Sequence, residues 1–318
     1  MNKKNGGNVP VCNDERQKWV WIPCGQCYIC KKKKAREWRM RIAEDIKENK
    51  NGKILLLTFN TESLKKLAKE LKGITGYELD NQICKLAIKR WRERWRKKYG
   101  RSPRHWFITE LGHGKTEHVH MHGIIWPDER YKLEDEILNE VEKTWGYGFV
   151  GRGKLDYNTG KYINYVNEKT ASYFTKYVNK IDEVHKEYKQ IILTSPGIGK
   201  NFLESDKVKD NKYRGENTNQ MYNMTNGGVL PMPEYFRRKL YTDEEREKLT
   251  SNMLDKKIIY IAGKEFRADI GDDKINLMYK ILQDKNARMG YGDGTKNYER
   301  KTIENARRRE IHKKRLNK

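Results

Sequence analysis

Residues 117–126, EHVHMHGIIW, decide the reading of the whole chain. As an extended strand they place His118, His120, His122, Ile124 and Trp126 on one face and Val119, Met121, Gly123 and Ile125 on the other. Imidazoles on alternate residues stand close enough to share one ion, and a mixed nitrogen and oxygen donor set suits a divalent metal that must also meet a phosphate. A third ligand comes from just upstream. Residues 104–111 have the composition of a second strand, the turn-prone GHGKT at 112–116 joins the two, and antiparallel pairing returns Glu110 beside the histidines. The expected ligands are Glu110, His120 and His122, with His118 as an alternative. Plainer roles exist for the other histidines: His105 fills space, His113 lies in the turn, and His118 caps the strand or touches phosphate.

Working outward, ILLLTF at 54–59 has strand length, and 61–71 repeats Leu64, Leu67, Ala68 and Leu71 at helical spacing. A helix capped by Asp80 and ended by Gly100 presents Ile83, Ala87, Trp91 and Trp95 as a buried stripe, with Cys84 packed in it. Residues 31–48 are helical through Trp38, Ile42 and Ile46. Downstream, 131–144 reads as helix, WGYGFVGRG at 145–153 as another strand, and 165–181 as helix. Together these predict an α+β fold, an antiparallel sheet with helices packed on one face. The pattern weakens beyond about residue 189. Gly197 to Gly199 falls in a loop, Pro231 and Pro233 precede a helix at 234–240, and 256–268 suits a hairpin. The expected divisions are a basic, cysteine-rich segment at 1–50, a catalytic core at 51–190, an accessory region at 191–295 and a basic tail at 296–318. That tail carries ten basic residues against three acids and reads as a solvated helix or mobile end.

A formal charge of +24 on 318 residues predicts a polyanionic partner, of which nucleic acid is the first candidate. No run approaches the roughly 18 apolar residues of a membrane helix, so no membrane partner is expected. The opening residues lack a signal-peptide core, which predicts a reducing cytoplasm. Between Lys85 and Arg104 there are ten basic residues and one acid, interleaved with Trp91, Trp95 and Tyr99. Arg90, Arg94, Lys97 and Lys98 on that helix are expected to contact phosphates, with the aromatic faces stacking on exposed bases. Cys24, Cys27 and Cys30 have the spacing of three soft ligands, and Cys12 is a fourth for tetrahedral zinc; the other reading is reduced, unliganded thiols.

In ASYFTKYVNK, Tyr173, Lys176, Tyr177 and Lys180 fall at i, i+3, i+4 and i+7 and form one helical stripe. The plain reading packs the tyrosines inward and lets the lysines reach out to water. A phenol titrates near pH 10, so a nucleophilic tyrosine needs positive charge or a base nearby, and the two lysines supply the charge. Lys180 is also expected to contact DNA. A metal on the histidine strand stabilises charge on a phosphate and leaves the tyrosine only to be aimed. Attack by tyrosine conserves the phosphodiester energy, which suits strand transfer more than degradation.

At these residues the chain resembles the HUH endonuclease superfamily, and within it the replication initiators of small single-stranded DNA phages of the microvirus group, especially the gokushovirus-like branch. IPCGQCYICKKKKAREWRMRI, HMHGIIW, SYFTKYVNK, PGIGKNF and LPMPEYFRRKLY carry the resemblance, from about residue 22 to 241. It implies a five-stranded antiparallel sheet, magnesium or manganese at His120 and His122, and Tyr173 and Tyr177 as nucleophiles that alternate during rolling-circle replication. Lys176 matches the lysine before the second tyrosine. The third histidine departs from the pattern and leaves HVH at 118–120 as another register for the metal pair. The implied activity is site-specific nicking and rejoining of single-stranded viral origin DNA in the host bacterial cytoplasm, through a 5′-phosphotyrosine, alongside the host helicase and polymerase. The rival readings are a plasmid or transposon enzyme with the same chemistry, and a non-catalytic, zinc-stabilised nucleic-acid binder.

Overall fold

The computed structural model describes residues 13–17, 25, 27–114, 116–128, 134–160, 162–180, 182, 184–225, 227–261, 264–290 and 298–317. In chain order, the elements as far as the first sheet's last strand are α1 (Tyr28–Glu48), β1 (Lys53–Leu57), α2 (Thr61–Glu70), α3 (Gly76–Tyr99), β2 (Arg104–Leu111), β3 (Val119–Trp126), α4 (Glu134–Trp145), β4 (Val150–Gly151), β5 (Lys154–Leu155), β6 (Tyr162–Ile163), α5 (Glu168–Asn179) and β7 (Ile192–Thr194). There follow α6 (Asn201–Glu204), β8 (Met221–Asn223), β9 (Val229–Pro231), α7 (Glu234–Leu240), α8 (Asp243–Asp255), β10 (Ile258–Ile261), β11 (Lys264–Arg267), α9 (Asp272–Arg288) and α10 (Tyr298–Asn317). The described residues within 45–198 and 295–318 form one compact unit, and those within 1–44 and 199–294 another.

The first unit is built on a five-stranded antiparallel sheet in the order β4-β1-β3-β2-β7. Alternation along each strand gives the sheet two unlike faces. One face carries Leu55, Leu57, Phe107, Leu111, Val119, Met121, Ile125 and Val150, which pack with Leu64 and Leu67 of α2, the Ile83, Ala87, Trp91 and Trp95 stripe of α3, and Ile137, Leu138 and Val141 of α4. Gly123 belongs to this face, and a Cβ there would lie 2.2 Å from the Phe107 ring and from the Trp106 carbonyl oxygen, so only glycine lets β2 and β3 pair with that ring between them. The other face carries Trp106, Glu110, His120, His122 and Ile124.

Helices do not keep to one face of the sheet, as the sequence suggested. The Phe174 ring of α5 packs edge-on against Trp106, on the histidine side. The cause is in β2 and β3, where Trp106, Ile108 and Ile124 are as fully buried as Phe107 and Ile125 on the opposite side, so both faces need cover. The edge strand β7 was not expected either. It has three half-buried residues and pairs with Trp106, Phe107 and Ile108, too short to show an alternating pattern. Of the stretch 145–153, only Val150 and Gly151 pair with β1.

The helix read as starting at Asp80 begins at Gly76, with Thr75 as its cap residue. Asp80 is instead fully buried under α10, where both of its oxygens accept hydrogen bonds from Arg308. The basic tail is therefore a docked helix, tied to α3 through its own buried arginine. In the second unit, Met40, Phe202, Val208, Tyr222, Met232 and Phe236 form the core, the Tyr222 hydroxyl donates to Glu44, and Arg41 lies between the rings of Trp38 and Tyr235. β10 and β11 form the hairpin expected at 256–268.

Candidate active site

Antiparallel register sets Glu110 directly opposite His120, and the pleat brings His122 to the same face. Glu110 Oε2 lies 3.5 Å from His120 Nε2 and 3.2 Å from His122 Nε2. One ligand atom from each of the three lies within 4.8 Å of the others. His120 Nδ1 donates to the His118 carbonyl at 3.3 Å, so the proton sits on Nδ1 and the Nε2 lone pair faces the cluster. Adjacent ligands on a small octahedral ion bound at about 2.1 Å stand roughly 3 Å apart, so these separations fit a magnesium- or manganese-sized cation with little rearrangement. His118 does not join the cluster. Its Nδ1 donates to the Phe59 carbonyl at 3.0 Å, and burial together with the nearby charge of Arg315 lowers its pKa.

Glu110 is 4 % exposed. Burial alone would raise its pKa, yet hydrogen bonds from His120, His122 and Lys180 hold the carboxyl well below the usual carboxylate range. Lys180, placed by the sequence on the phenol stripe as a DNA contact, ion-pairs with Glu110 Oε1 at the end of α5. The carboxylate is thus kept ionised in a nearly dry position, the state in which it can ligate a cation.

α5 starts at Asn167, whose side chain accepts from Thr170 N while Thr170 Oγ1 accepts from Asn167 N. This reciprocal cap starts the helix three residues later than its hydrophobic pattern suggested. From there α5 carries Tyr177 onto the histidine strand, where its ring stacks on His122 at 4.2 Å between centroids and 19° between planes. Its hydroxyl is 2.7 Å from that of Tyr173, which is 44 % exposed. Burial, the Tyr173 hydrogen bond and the charge of Glu110 all raise the Tyr177 pKa, so its phenol is protonated at neutral pH. Lys176 is exposed one turn along the same helix.

The remaining site expectations divide. Arg90, Arg94, Lys97 and Lys98 lie on α3, against the sheet face opposite the histidines, and are not gathered with the cluster. Arg90 pairs with Glu70, Lys98 pairs with Glu140, and Arg94 donates to the Thr144 and Trp145 carbonyls. Trp91 and Trp95 are 0 % and 2 % exposed, and the Tyr99 hydroxyl donates to Glu140, so neither tryptophan face is open to a base. The stripe was legible, but its aromatic members are core. His105 is buried, as its space-filling reading expected, and His113 Nε2 lies 3.1 Å from Asp182. Cys27 and Cys30 are half-buried at the start of α1, while Cys12 and Cys24 lie outside the described residues.

Sequence reasoning passed over the support behind the metal strand. Arg308 of α10 donates to Asp80 at 2.8 and 2.7 Å, to the Glu117 carbonyl at 2.9 Å and to the Glu117 carboxylate at 3.3 Å. Glu117 holds a left-handed backbone, φ 44°, immediately before His118. α10 thereby fixes the turn from which the histidine strand departs. A signal existed, since Asp80 falls on the apolar stripe of α3 and a buried acid needs a cation. No helix among the described residues is long and apolar enough to cross a membrane.

No curated protein and no solved structure matches the chain. Residues 55–182, which carry Glu110, both cluster histidines and both tyrosines, match the model of the family described as replication-associated protein ORF2, and that likeness supports a replication initiator.

Proposed function

We propose that the protein initiates rolling-circle replication as a metal-dependent, site-specific nickase and strand transferase of the HUH kind, acting on single-stranded origin DNA of a microvirus-like phage in its bacterial host. One observation carries this reading: the phenols of Tyr173 and Tyr177 meet at 2.7 Å beside the Glu110, His120 and His122 cluster, with the Tyr177 ring seated on His122. A helix used only for packing has no need to bring two hydroxyls to a half-open rim over ionisable groups.

Glu110, His120 and His122 would hold the ion, magnesium or manganese, which when bound supplies Lewis-acid stabilisation of the phosphate oxygens. A tyrosine oxygen forms a bond to phosphorus as the bond from phosphorus to the 3′ oxygen breaks. The 5′ phosphate passes to the phenol, and the leaving oxygen ends as a 3′ hydroxyl after taking a proton. The hydrogen bond between the two phenols offers the attacking oxygen a partner for its proton. Lys180 keeps Glu110 ionised, and Lys176 is placed to steady phosphate charge. After one round, the second tyrosine attacks the regenerated junction, and the first ester resolves by attack of the free 3′ hydroxyl.

Labelled single-stranded origin DNA and manganese test the proposal directly. Wild type is expected to form an adduct that survives denaturation, and Tyr173→Phe with Tyr177→Phe together to form none. No adduct with wild type would leave a binding protein in place of an enzyme, and an undiminished adduct in the double variant would reassign the nucleophile.

A further inference from the structure

Phe149 stands apart from the other phenylalanines of the chain. Five of the seven, Phe59, Phe107, Phe174, Phe202 and Phe236, are at most 3 % exposed, whereas Phe149 is 66 % exposed. A single exposed apolar side chain is ordinary by itself. Its position is not. Leu57 of β1 pairs with Met121 on one side and Val150 on the other, all three on the helix-packed face. One residue along, the pleat turns His120, Thr58 and Phe149 to the opposite face in a single lateral row, and Glu110 continues that row across from His120. Two strand spacings, about 10 Å, separate Phe149 from His120. The ring therefore shares the open face of the sheet with the metal cluster.

The ring also has a rigid mount. Thr58 N donates to the Phe149 carbonyl at 3.0 Å, Phe149 N donates to Thr58 Oγ1 at 2.9 Å, and that hydroxyl donates back to the Phe149 carbonyl at 3.0 Å. Gly148 lies so close to β1 that a Cβ would stand 2.7 Å from the Thr58 carbonyl oxygen and 2.9 Å from Asn60 N. A large aromatic face held this firmly loses little entropy when a flat ligand covers it.

We propose that Phe149 is a stacking platform for one base of single-stranded DNA, a nucleotide or two from the phosphate held at Glu110, His120 and His122. The inference rests on the nicking reading and gives the site a strand-binding position. A strand of phosphates suits a chain of charge +24, and every base offers a π face, so stacking here grips DNA without choosing its sequence. It also takes over the role that Trp91 and Trp95 cannot fill from inside the core.

The test uses the full chain and an oligothymidylate carrying one 2-aminopurine, moved stepwise along the strand. Wild type is expected to quench the probe at one or two positions. Phe149→Ser, checked for folding by its melting temperature, is expected to lose that quenching and to bind about tenfold more weakly, the scale of one lost stack, with an unchanged dependence on salt. Phe149→Trp is expected to retain both. Equal binding and equal quenching by Phe149→Ser would overturn the proposal. The wild-type adduct assay is read separately: an adduct with no effect of Phe149→Ser defeats the platform alone, while a Phe149 effect without any adduct defeats the nicking reading and leaves the platform standing.

Discussion

Arg308 and Asp80, 228 residues apart, form a two-pronged ion pair in which neither side chain reaches solvent. Burial opposes both charges, and the pairing overcomes it, so the Asp80 carboxyl lies below its ordinary pKa and the guanidinium above. Removing one partner leaves the other charge stranded in the core. Arg308→Met is expected to lower unfolding free energy by about 3–5 kcal/mol in a denaturant melt. Joint replacement by Asp80→Leu and Arg308→Met should recover much of that loss, because no lone charge then remains. A single variant that melts like wild type would show that α10 does not depend on this pair.

What was legible in the sequence was local, and what was not was tertiary. Period-two alternation in HVHMHGIIW and the glycine-rich turn before it were enough to pair Glu110 with His120, because register across a short hairpin follows from the turn. The helical stripe of Tyr173 and Tyr177 was equally visible, but which sheet face it would cover was not, since β2 is apolar on both sides and gives no preference. Trp91 and Trp95 illustrate the converse. Their basic neighbours made them look like a nucleic-acid surface, while their spacing with Ile83 and Ala87 already marked them as core. Lys180 lies on the stripe as predicted, yet its partner, Glu110, is 70 residues away and no spacing rule could name it.

His105 gives the fold a dependence on pH. Burial, aided by the charges of Arg92 and Arg104, pushes its pKa down to about 4, and the neutral ring is held between the Pro103 carbonyl and the Ser195 hydroxyl. The folded value lies below the unfolded value of about 6.5, so as pH falls the unfolded chain takes up this proton first. Stability from this group is complete above about pH 6.5, declines from there to about pH 4, and is gone below that. A shift of this size corresponds to about 3 kcal/mol. His105→Gln is expected to flatten the fall in unfolding free energy between pH 7 and pH 4.5. Parallel curves for variant and wild type would remove His105 as the source.

Tyr177 does two separable things at the cluster, since its ring supports His122 and its oxygen is the proposed nucleophile. Tyr177→Phe deletes only the oxygen, whereas Tyr177→Ala also removes the surface against which the imidazole lies. Groups that orient a ligating histidine commonly change metal affinity by about tenfold or more when they are lost. Manganese titration by electron paramagnetic resonance is therefore expected to give Tyr177→Phe an affinity within about twofold of wild type and Tyr177→Ala one about tenfold weaker. Manganese should raise the melting temperature of wild type, because a ligand that binds only the folded state stabilises it, and it should not do so for His120→Ala or Glu110→Ala. Equal affinities for Tyr177→Phe and Tyr177→Ala would mean that the stacked ring does not hold His122 in place, and the tyrosine would then matter to the site through its hydroxyl alone.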